Sequence, residues 1–546
     1  MKSKSILCFL IFVSLLFSDP IPDIPKLEKE TTPPQIKGIV SPQIEVKNGQ
    51  KLVVRKFNIV GNKKVSASEI EKITRDYVGK EITISDLKLV TDKITEIYWQ
   101  KGYVTSFAYV PAQKVIDGVV EIKIIEGKVG KIKVQGNKYY TESFIKKHFD
   151  NLSKEDVLNN KSLERSLLLL NDYPKLNAYA NLTKGEDIGT TDIVVDIEEK
   201  YFPFNLNVFL NNFGSRYTGR IRFGFDFDLG NLTKNGDILS LSAIGNIENL
   251  NSMNYLKIGY NLPLTGTGAK IGLTWSNLKY EIDKELNPLG VEGKSYITSL
   301  NFSYPFIRER TNNLNIFSSL NMKYMENYLF ERTLLNSQDR YTTLEIGVNR
   351  DRLFPNSHLY WTAKATFGLG TFLGGMSNDE YTGSSRPGLA DGTWMKLNLD
   401  VVDNFKIGKL QLITRFGGQY SSDNLLTGEQ MVLGGPDSVR SYPVGEYLGD
   451  YGYFLSAELR TPFFPGEHFL NKYANWALFI DHGRVIKNDI LPGEDKSNFA
   501  TGIGLGFRVY IPCHFHLRFD AATPISGKTP SDNRDWQFWV QALLNF

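Results

Sequence analysis

The chain has 546 residues, too long for one ordinary domain, and its 63 lysines and arginines against 60 acidic residues leave a net charge of only +3. That balance argues against a nucleic-acid partner, which needs a clustered basic face. Aromatic residues are abundant (34 Phe, 27 Tyr, 7 Trp) while mean hydropathy is negative, so apolar side chains are interleaved with polar ones. In chain order, Lys2 and Lys4 precede an apolar run from Ile6 to Phe17, then Ser18 and Asp19-Pro20. These are the parts of a secretory signal peptide, expected over 1–18. The run is shorter than the roughly 20 apolar residues of a spanning helix. Cys8 lies inside it rather than after it, which argues against a lipoprotein. Once Cys8 leaves with the signal, Cys513 has no intrachain disulfide partner. Residues 19–50 carry Pro20, Pro22, Pro25, Pro33, Pro34 and Pro42, which exclude a long helix and predict a flexible or polyproline-like linker.

From Lys51 the pattern becomes globular. Val53, Val54, Phe57, Ile59 and Val60 predict a strand closed by Gly61-Asn62. Ser66 or Ser68 caps a helix carrying Ile70, Ile73 and Tyr77, and Ser85 opens a second with Leu87, Val90, Ile94 and Ile97 on one face. Strands are predicted at Tyr103–Val110 and Val119–Glu126, joined through the hairpin signal Asp117-Gly118. The order then repeats. Lys131–Gln135 is closed by Gly136-Asn137; helices follow at Thr141–Phe149 and Ser162–Asn171, then strands at Ala178–Leu182 and Asp192–Glu198. A motif recurring after roughly 75 residues marks a repeat of small α+β modules. The pair resembles two POTRA domains, the periplasmic modules of outer-membrane transport proteins, over 51–127 and 128–200.

After Tyr201 the helical period disappears. Phe202, Phe204, Leu206, Val208 and Leu210 alternate with polar residues, as do Ile221, Phe223, Phe225, Phe227 and Leu229. Similar segments recur to the C-terminus. A soluble sandwich also alternates, but here arginine and aspartate fill many successive positions of one face while the other is aromatic or branched. Apolar-out, polar-in segments of about ten residues separated by turns are the signature of an outer-membrane barrel, the closed form that satisfies every backbone group in lipid without helices. The predicted fold is therefore mainly β: two α+β modules, then a transmembrane antiparallel barrel over 201–546 of roughly sixteen strands at about 20 residues per strand and connection. Trp536, Phe538, Val540, Ala542, Leu544 and Phe546 form a terminal apolar column. It resembles the C-terminal strand that outer-membrane assembly machinery recognises.

No catalytic set is found: there is no His-Glu-x-x-His or Gly-x-Ser-x-Gly motif. Alternation places His514 and His516 on one strand face and Cys513 on the other, so one metal could not take all three. Gly502, Gly504 and Gly506 lie inside an alternating strand with no following helix, unlike a dinucleotide loop. Facing inward, they leave room for an inserted loop or serve strand curvature.

Between two barrel segments lies Gly434-Gly435-Pro436-Asp437-Ser438-Val439-Arg440-Ser441-Tyr442, with Phe479-Ile480-Asp481-His482-Gly483 further on. The pair resembles the long loop and partner motif of the TpsB transporters of two-partner secretion. The resemblance implies a re-entrant loop over about 420–449, with Gly434, Gly435, Val439, Arg440, Ser441 and Tyr442 at its tip. It also implies that Arg440 pairs with Asp481 of the Phe479–Asp481–Gly483 motif, and that Phe538, Val540, Leu544 and Phe546 serve as assembly signal. Independently of the family, a lone charge on a loop inside a barrel must be paired, and truncating one partner of a buried pair costs about 3–5 kcal/mol. Two departures stand out. Ser441 replaces the family glycine, and the proline-laden stretch 19–42 is a poor source for the family's plug helix. The resemblance further implies an outer-membrane location with the modules in the periplasm. A large secreted exoprotein would be recognised by those modules and passed unfolded through the barrel. The other partners implied are outer-membrane lipid and the barrel assembly machinery, with no cofactor and no catalysis. An outer-membrane assembly or insertion factor of the same superfamily is the alternative.

Overall fold

The computed structural model describes residues 51–153, 157–199, 203–249, 252–282, 288–377, 383–512 and 514–546. The expected signal peptide and linker, Cys8 and Cys513 lie outside them. The first unit runs β1 (Lys51–Val53), β2 (Lys56–Val60), α1 (Ala67–Thr74), β3 (Glu81–Thr83), α2 (Ile84–Gln100), β4 (Phe107–Tyr109) and β5 (Val119–Ile125). Strand β5 pairs parallel with β2 and antiparallel with β4. One apolar face of each helix closes the core: Ile70, Leu87, Val90, Ile94 and Tyr98 pack with Phe57, Val120, Ile122 and Ile124.

The second unit repeats the plan with β6 (Lys128–Gln135), α3 (Glu142–Lys147), α4 (Asp150–Ser153), α5 (Asn160–Asn171), β7 (Leu176–Lys184) and β8 (Thr190–Glu199). Its sheet order is β6-β8-β7. The repeat holds at atomic level. Asn62 and Asn137 each donate from Nδ2 to the carbonyl three residues on, Val65 and Tyr140, both at 3.1 Å. Glu126 accepts the Lys63 and Lys64 amides at 2.7 and 2.6 Å; Glu199 accepts those of Lys138 and Tyr139 at 3.1 and 2.5 Å.

Local differences from the sequence reading have local causes. The strand expected through Val53–Val60 is broken in two because Val54 turns into the core, its carbonyl accepting from the Gly79 amide at 2.8 Å. The strand expected at Tyr103–Val110 shrinks to β4 because Ser106 closes a turn onto the Tyr103 carbonyl and its hydroxyl takes the Gly127 amide at 3.2 Å. Helix α2 starts one residue before Ser85, with Thr83 and Asp86 forming a capping box.

The remaining chain closes a sixteen-strand antiparallel barrel. Its first strands are β9 (Phe204–Asn211), β10 (Arg222–Gly230), β11 (Ile238–Asn246), β12 (Met253–Pro263), β13 (Lys270–Glu281), β14 (Glu292–Arg308), β15 (Asn312–Leu329) and β16 (Leu334–Leu353). Next come β17 (Ser357–Gly368), β18 (Met395–Ile407) and β19 (Leu410–Tyr420), then a loop holding the short hairpin β20 (Met431–Leu433) and β21 (Tyr447–Gly449). The wall resumes with β22 (Tyr451–Pro462), β23 (Ala474–Ile486), β24 (Ser497–Ile511), β25 (Phe515–Gly527) and β26 (Gln537–Asn545), which pairs back onto β9. Alternation sets the two faces. Phe223, Ile258, Leu273, Trp275, Leu300, Leu399, Leu478, Leu505 and Phe538 are exposed on the outside, where lipid is the solvent. No helix among the described residues is long and apolar enough to cross a membrane; the spanning element is the barrel.

The second unit meets the barrel at one rim. Arg308 pairs with Asp172 at 2.7 Å, Arg310 pairs with Glu164, Arg165 donates to the Pro305 carbonyl, and Asn231 Nδ2 donates to the Tyr139 carbonyl at 3.1 Å. That rim carries short turns and the opposite rim the longer loops, as expected for periplasmic and outer faces.

Within this unit His148 is buried, its Nδ1 3.0 Å from the Phe144 carbonyl and its ring edge-on to Phe144 and Tyr173. Burial pushes its pKa from 6.5 down to about 4. Below pH 6.5 the unfolded chain takes a proton that the folded unit refuses, so stability falls as pH drops from 6.5 towards 4, by up to about 3 kcal/mol. The protection of the α5 amides in the intact protein, taken as exchange relative to an unstructured chain at the same pH, is expected to fall over that interval, and His148→Gln to flatten the dependence; a pH-independent protection factor would contradict this assignment.

Candidate functional site

The loop between β19 and β22 turns back into the lumen, and its tip is built from the motif residues. Gly434 and Gly435 have φ of +101° and +107°, a conformation that favours glycine, and they send the chain into a tight turn in which the Gly435 amide donates to the Tyr442 carbonyl at 3.0 Å. Val439 and Tyr442 are fully buried in a cluster with Leu433, Tyr447, Phe454, Val485 and Ala500. The Tyr442 hydroxyl lies 3.1 and 3.0 Å from the carbonyls of Ser526 and Lys528.

Arg440 is 4% exposed and projects onto the wall. Its Nε and one terminal nitrogen donate to the two oxygens of Asp481, both at 2.8 Å, and its own amide donates to Asp481 at 3.1 Å. The other terminal nitrogen donates to Glu458 at 2.6 Å. Ser456 completes the contact, accepting from Arg440 at 3.2 Å and donating to Asp481 at 2.7 Å. Beneath the guanidinium lies the Phe479 ring, 3.3 Å from Cζ to the ring centroid, a cation–π stack. The Arg440 carbonyl accepts the Trp539 indole N–H at 2.7 Å. Two-point pairing of guanidinium and carboxylate is the strong form of the ion pair, and here it is withdrawn from water.

Each motif position has a contact. Phe479 stacks, Asp481 pairs, and Gly483 clears space for Leu433, whose Cδ1 would lie 2.4 Å from a Cβ there. The inward glycines are likewise filled spaces. A Cβ on Gly502 would lie 1.9 Å from Ser441 Oγ, and one on Gly504 would lie 2.3 Å from the Phe479 ring. The column is therefore packing room for the inserted tip and the ring it rests on. Ser441 is buried and lies outside the left-handed backbone region, so serine carries no backbone penalty there, although its hydroxyl has no hydrogen-bond partner. Phe538, Val540, Leu544 and Phe546 are not part of this constellation: they stand exposed on the outer face.

Sequence reasoning missed the rest of the charged network. Glu458 also pairs with Arg460 and Arg508 at 2.7 and 2.9 Å, and Asp520 pairs with Arg508 and Arg518 at 2.6 and 2.7 Å. The available signal was charge at alternate, inward positions, Glu458/Arg460 and Arg518/Asp520. No group of three or more potential metal ligands occurs among the described residues.

The family model described as haemolysin secretion/activation protein ShlB/FhaC/HecB matches residues 189–509. A ShlB-type POTRA model matches 52–127, and a model described as a surface antigen variable number repeat matches 127–200. Curated relatives include the heme/hemopexin transporter protein HuxB of Haemophilus influenzae, 23% identical over 96% of this chain and 95% of that protein. The outer membrane transporter CdiB of Dickeya dadantii is 24% identical over 71% of this chain and 68% of its own. Among solved structures, CdiB from Escherichia coli superposes with a TM-score of 0.72 at 19% identity, covering 93% of each chain. BamA from Haemophilus ducreyi lacking POTRA domains 1–3 gives 0.54 at 16%, over 90% of this chain and all of that one.

Arg440→Ala leaves Asp481 and Glu458 short of their shared cation. A loss of about 3–5 kcal/mol is expected, read as earlier conversion to the unfolded band when the folded barrel is heated before electrophoresis. Gly502→Ala is expected to displace the tip and raise single-channel conductance, and Ser441→Gly in the same chain to restore it, since the clash is with the serine side chain. Failure of that rescue would place the effect in strand β24 itself.

Proposed function

Because the chain belongs to the haemolysin secretion/activation protein family ShlB/FhaC/HecB, we propose that it is an outer-membrane transporter of two-partner secretion. It recognises a large exoprotein in the periplasm through residues 51–199 and passes it unfolded through the barrel to the cell surface. The observation that carries this reading is the joining of two POTRA-type units to a closed barrel whose lumen holds a charge-latched loop. The unit sheets leave β2, β4, β6 and β7 at their edges, and an extended client can add a strand to such an edge through backbone pairing. The latch between Arg440 and Asp481 holds the loop through side chains, so it can be exchanged, which a disulfide would not permit. Folding of the client outside the cell would supply the driving force.

The assembly-factor alternative rests on the fold likeness to BamA. The likeness to CdiB is closer and the ShlB-type models span both the first unit and most of the barrel, which favours secretion. Deleting residues 51–199 is expected to abolish release of a co-expressed partner exoprotein while leaving a barrel that inserts, and Arg440→Ala to lower release with insertion retained. Release that persists in both variants would overturn the reading; a general loss of outer-membrane proteins on depleting the chain would favour the assembly factor.

A further inference from the structure

The re-entrant loop is held at a second place, on strands β15, β16 and β18 and with the charges reversed. On its descending limb Glu429 is 3% exposed. One carboxylate oxygen accepts from Lys323 at 2.5 Å and from the Tyr341 hydroxyl at 2.9 Å; the other is 2.8 Å from Lys396. Lys396 also donates to the Glu429 carbonyl at 2.9 Å. Lys323 and Tyr341 are direct cross-strand partners on β15 and β16, and Lys396 projects from β18. The three donors thus sit on rigid wall strands, whereas the acceptor sits on a loop.

The two attachments differ in what they leave behind if the loop withdraws. Around the Arg440 socket the wall supplies Glu458, Asp481 and Asp520 together with Arg460, Arg508 and Arg518. Those six charges cancel, so the vacated socket is neutral. Around Glu429 the wall supplies two lysines, and among the described residues Glu429 is the only carboxylate paired with either. The nearby Lys364 already has its own partner, Glu345, at 3.2 Å. Vacating this place leaves two ammonium groups and a phenol facing the lumen without the carboxylate that joins them; buried Asp339 on β16 is taken up by the Ser385 amide at 2.8 Å. Two like charges held close together on one wall attract a counter-charge, and the donor set is shaped for a carboxylate.

We propose that Lys323, Tyr341 and Lys396 form a carboxylate-binding site on the lumen wall, filled at rest by Glu429 and opened to acidic side chains of the passing polypeptide when the loop withdraws. The site rests on the transport reading for its natural ligand, but its chemistry is tested without a client. In planar bilayers holding the full chain, Glu429→Gln is expected to raise the open fraction. A ten-residue polyglutamate peptide is expected to block that variant at about tenfold lower concentration than wild type, the equivalent of roughly 1.4 kcal/mol. Adding Lys323→Gln and Lys396→Gln should remove the gain, and a ten-residue polylysine peptide should never show it. Equal block of wild type and Glu429→Gln, or a gain that survives loss of both lysines, would overturn the site. Should Glu429→Gln fail to insert, Lys323→Gln/Lys396→Gln in the wild-type background tests the same claim. Polyglutamate block of its spontaneous openings is expected to weaken about tenfold, and unchanged block would overturn it. Because secretion is not the readout, a failed site and a failed transport reading are distinguishable.

Discussion

The arrangement of the lumen turns on one requirement: a guanidinium carried into the barrel on a loop must meet negative charge there. Coulomb attraction is strong in a poorly hydrated space and desolvation is costly, so Arg440 needs acids on rigid strands, placed to within hydrogen-bond tolerance. Strand register provides them. Ser456 lies directly opposite Asp481, and Asp481 opposite Gly502, so the residue that pairs, the residue that orients it and the residue that makes room occupy one rung across β22, β23 and β24. A slip of one residue would turn Asp481 towards lipid. The latch and the wall register therefore support each other.

The same requirement explains the surrounding arginines. Three acids gathered to receive one guanidinium would repel each other; Arg460, Arg508 and Arg518 offset that surplus, and Asp437 of the loop tip, 3.3 Å from Arg518, balances the remaining positive charge. At the neck of the loop the signs are again matched. Arg386, from the connection between β17 and β18, donates to Asp450 at 2.8 Å and to the Leu425 carbonyl at 3.3 Å. Asp450 also accepts the Leu425 amide at 3.0 Å and the Gln430 side chain at 2.9 Å. The descending and ascending limbs are thus joined to each other by side chains. Together with Glu429 and Arg440, the loop is fixed at its neck and at two places on the wall, with a two-stranded hairpin as its only sheet.

How much of this was legible follows from what alternation encodes. A period of two assigns each residue to a face, which is why the terminal column of Phe538 and Val540 falls on the lipid side, whereas the match of Arg440 with Asp481 came from the resemblance of the two motifs to the transporter family. Alternation does not say which strand faces which across the lumen. Glu458 with Arg508, and Glu429 with Lys323 and Lys396, are separated by 50, 106 and 33 residues, and only closure of the barrel brings them together. The glycine column was ambiguous for the same reason: room for a loop and strand curvature look alike until Ser441 and Phe479 are seen filling the space. Ser441 stood out as a replacement of the family glycine, and the observed turn places its left-handed residues at Gly434 and Gly435 rather than there.

The energetic ranking of contacts bears on which part moves. Among the described residues, the second periplasmic unit meets the barrel around the turns after β10, β12 and β14, through contacts that include the partly exposed pair Arg308–Asp172. Exposed pairs contribute about 0–1 kcal/mol each. The latch pairs are buried, and breaking one is several-fold costlier. On the transport reading proposed above, a client that added a strand to a unit edge would gain backbone pairing without disturbing the lumen, and the unit's seat on the rim would be the contact that yields first. Release of the loop then needs a replacement for the charges it satisfies. On the Arg440 side the wall already neutralises itself; on the lysine side, at the site proposed above, incoming carboxylates would do so. On that reading, which charges can be left alone would set the order of events.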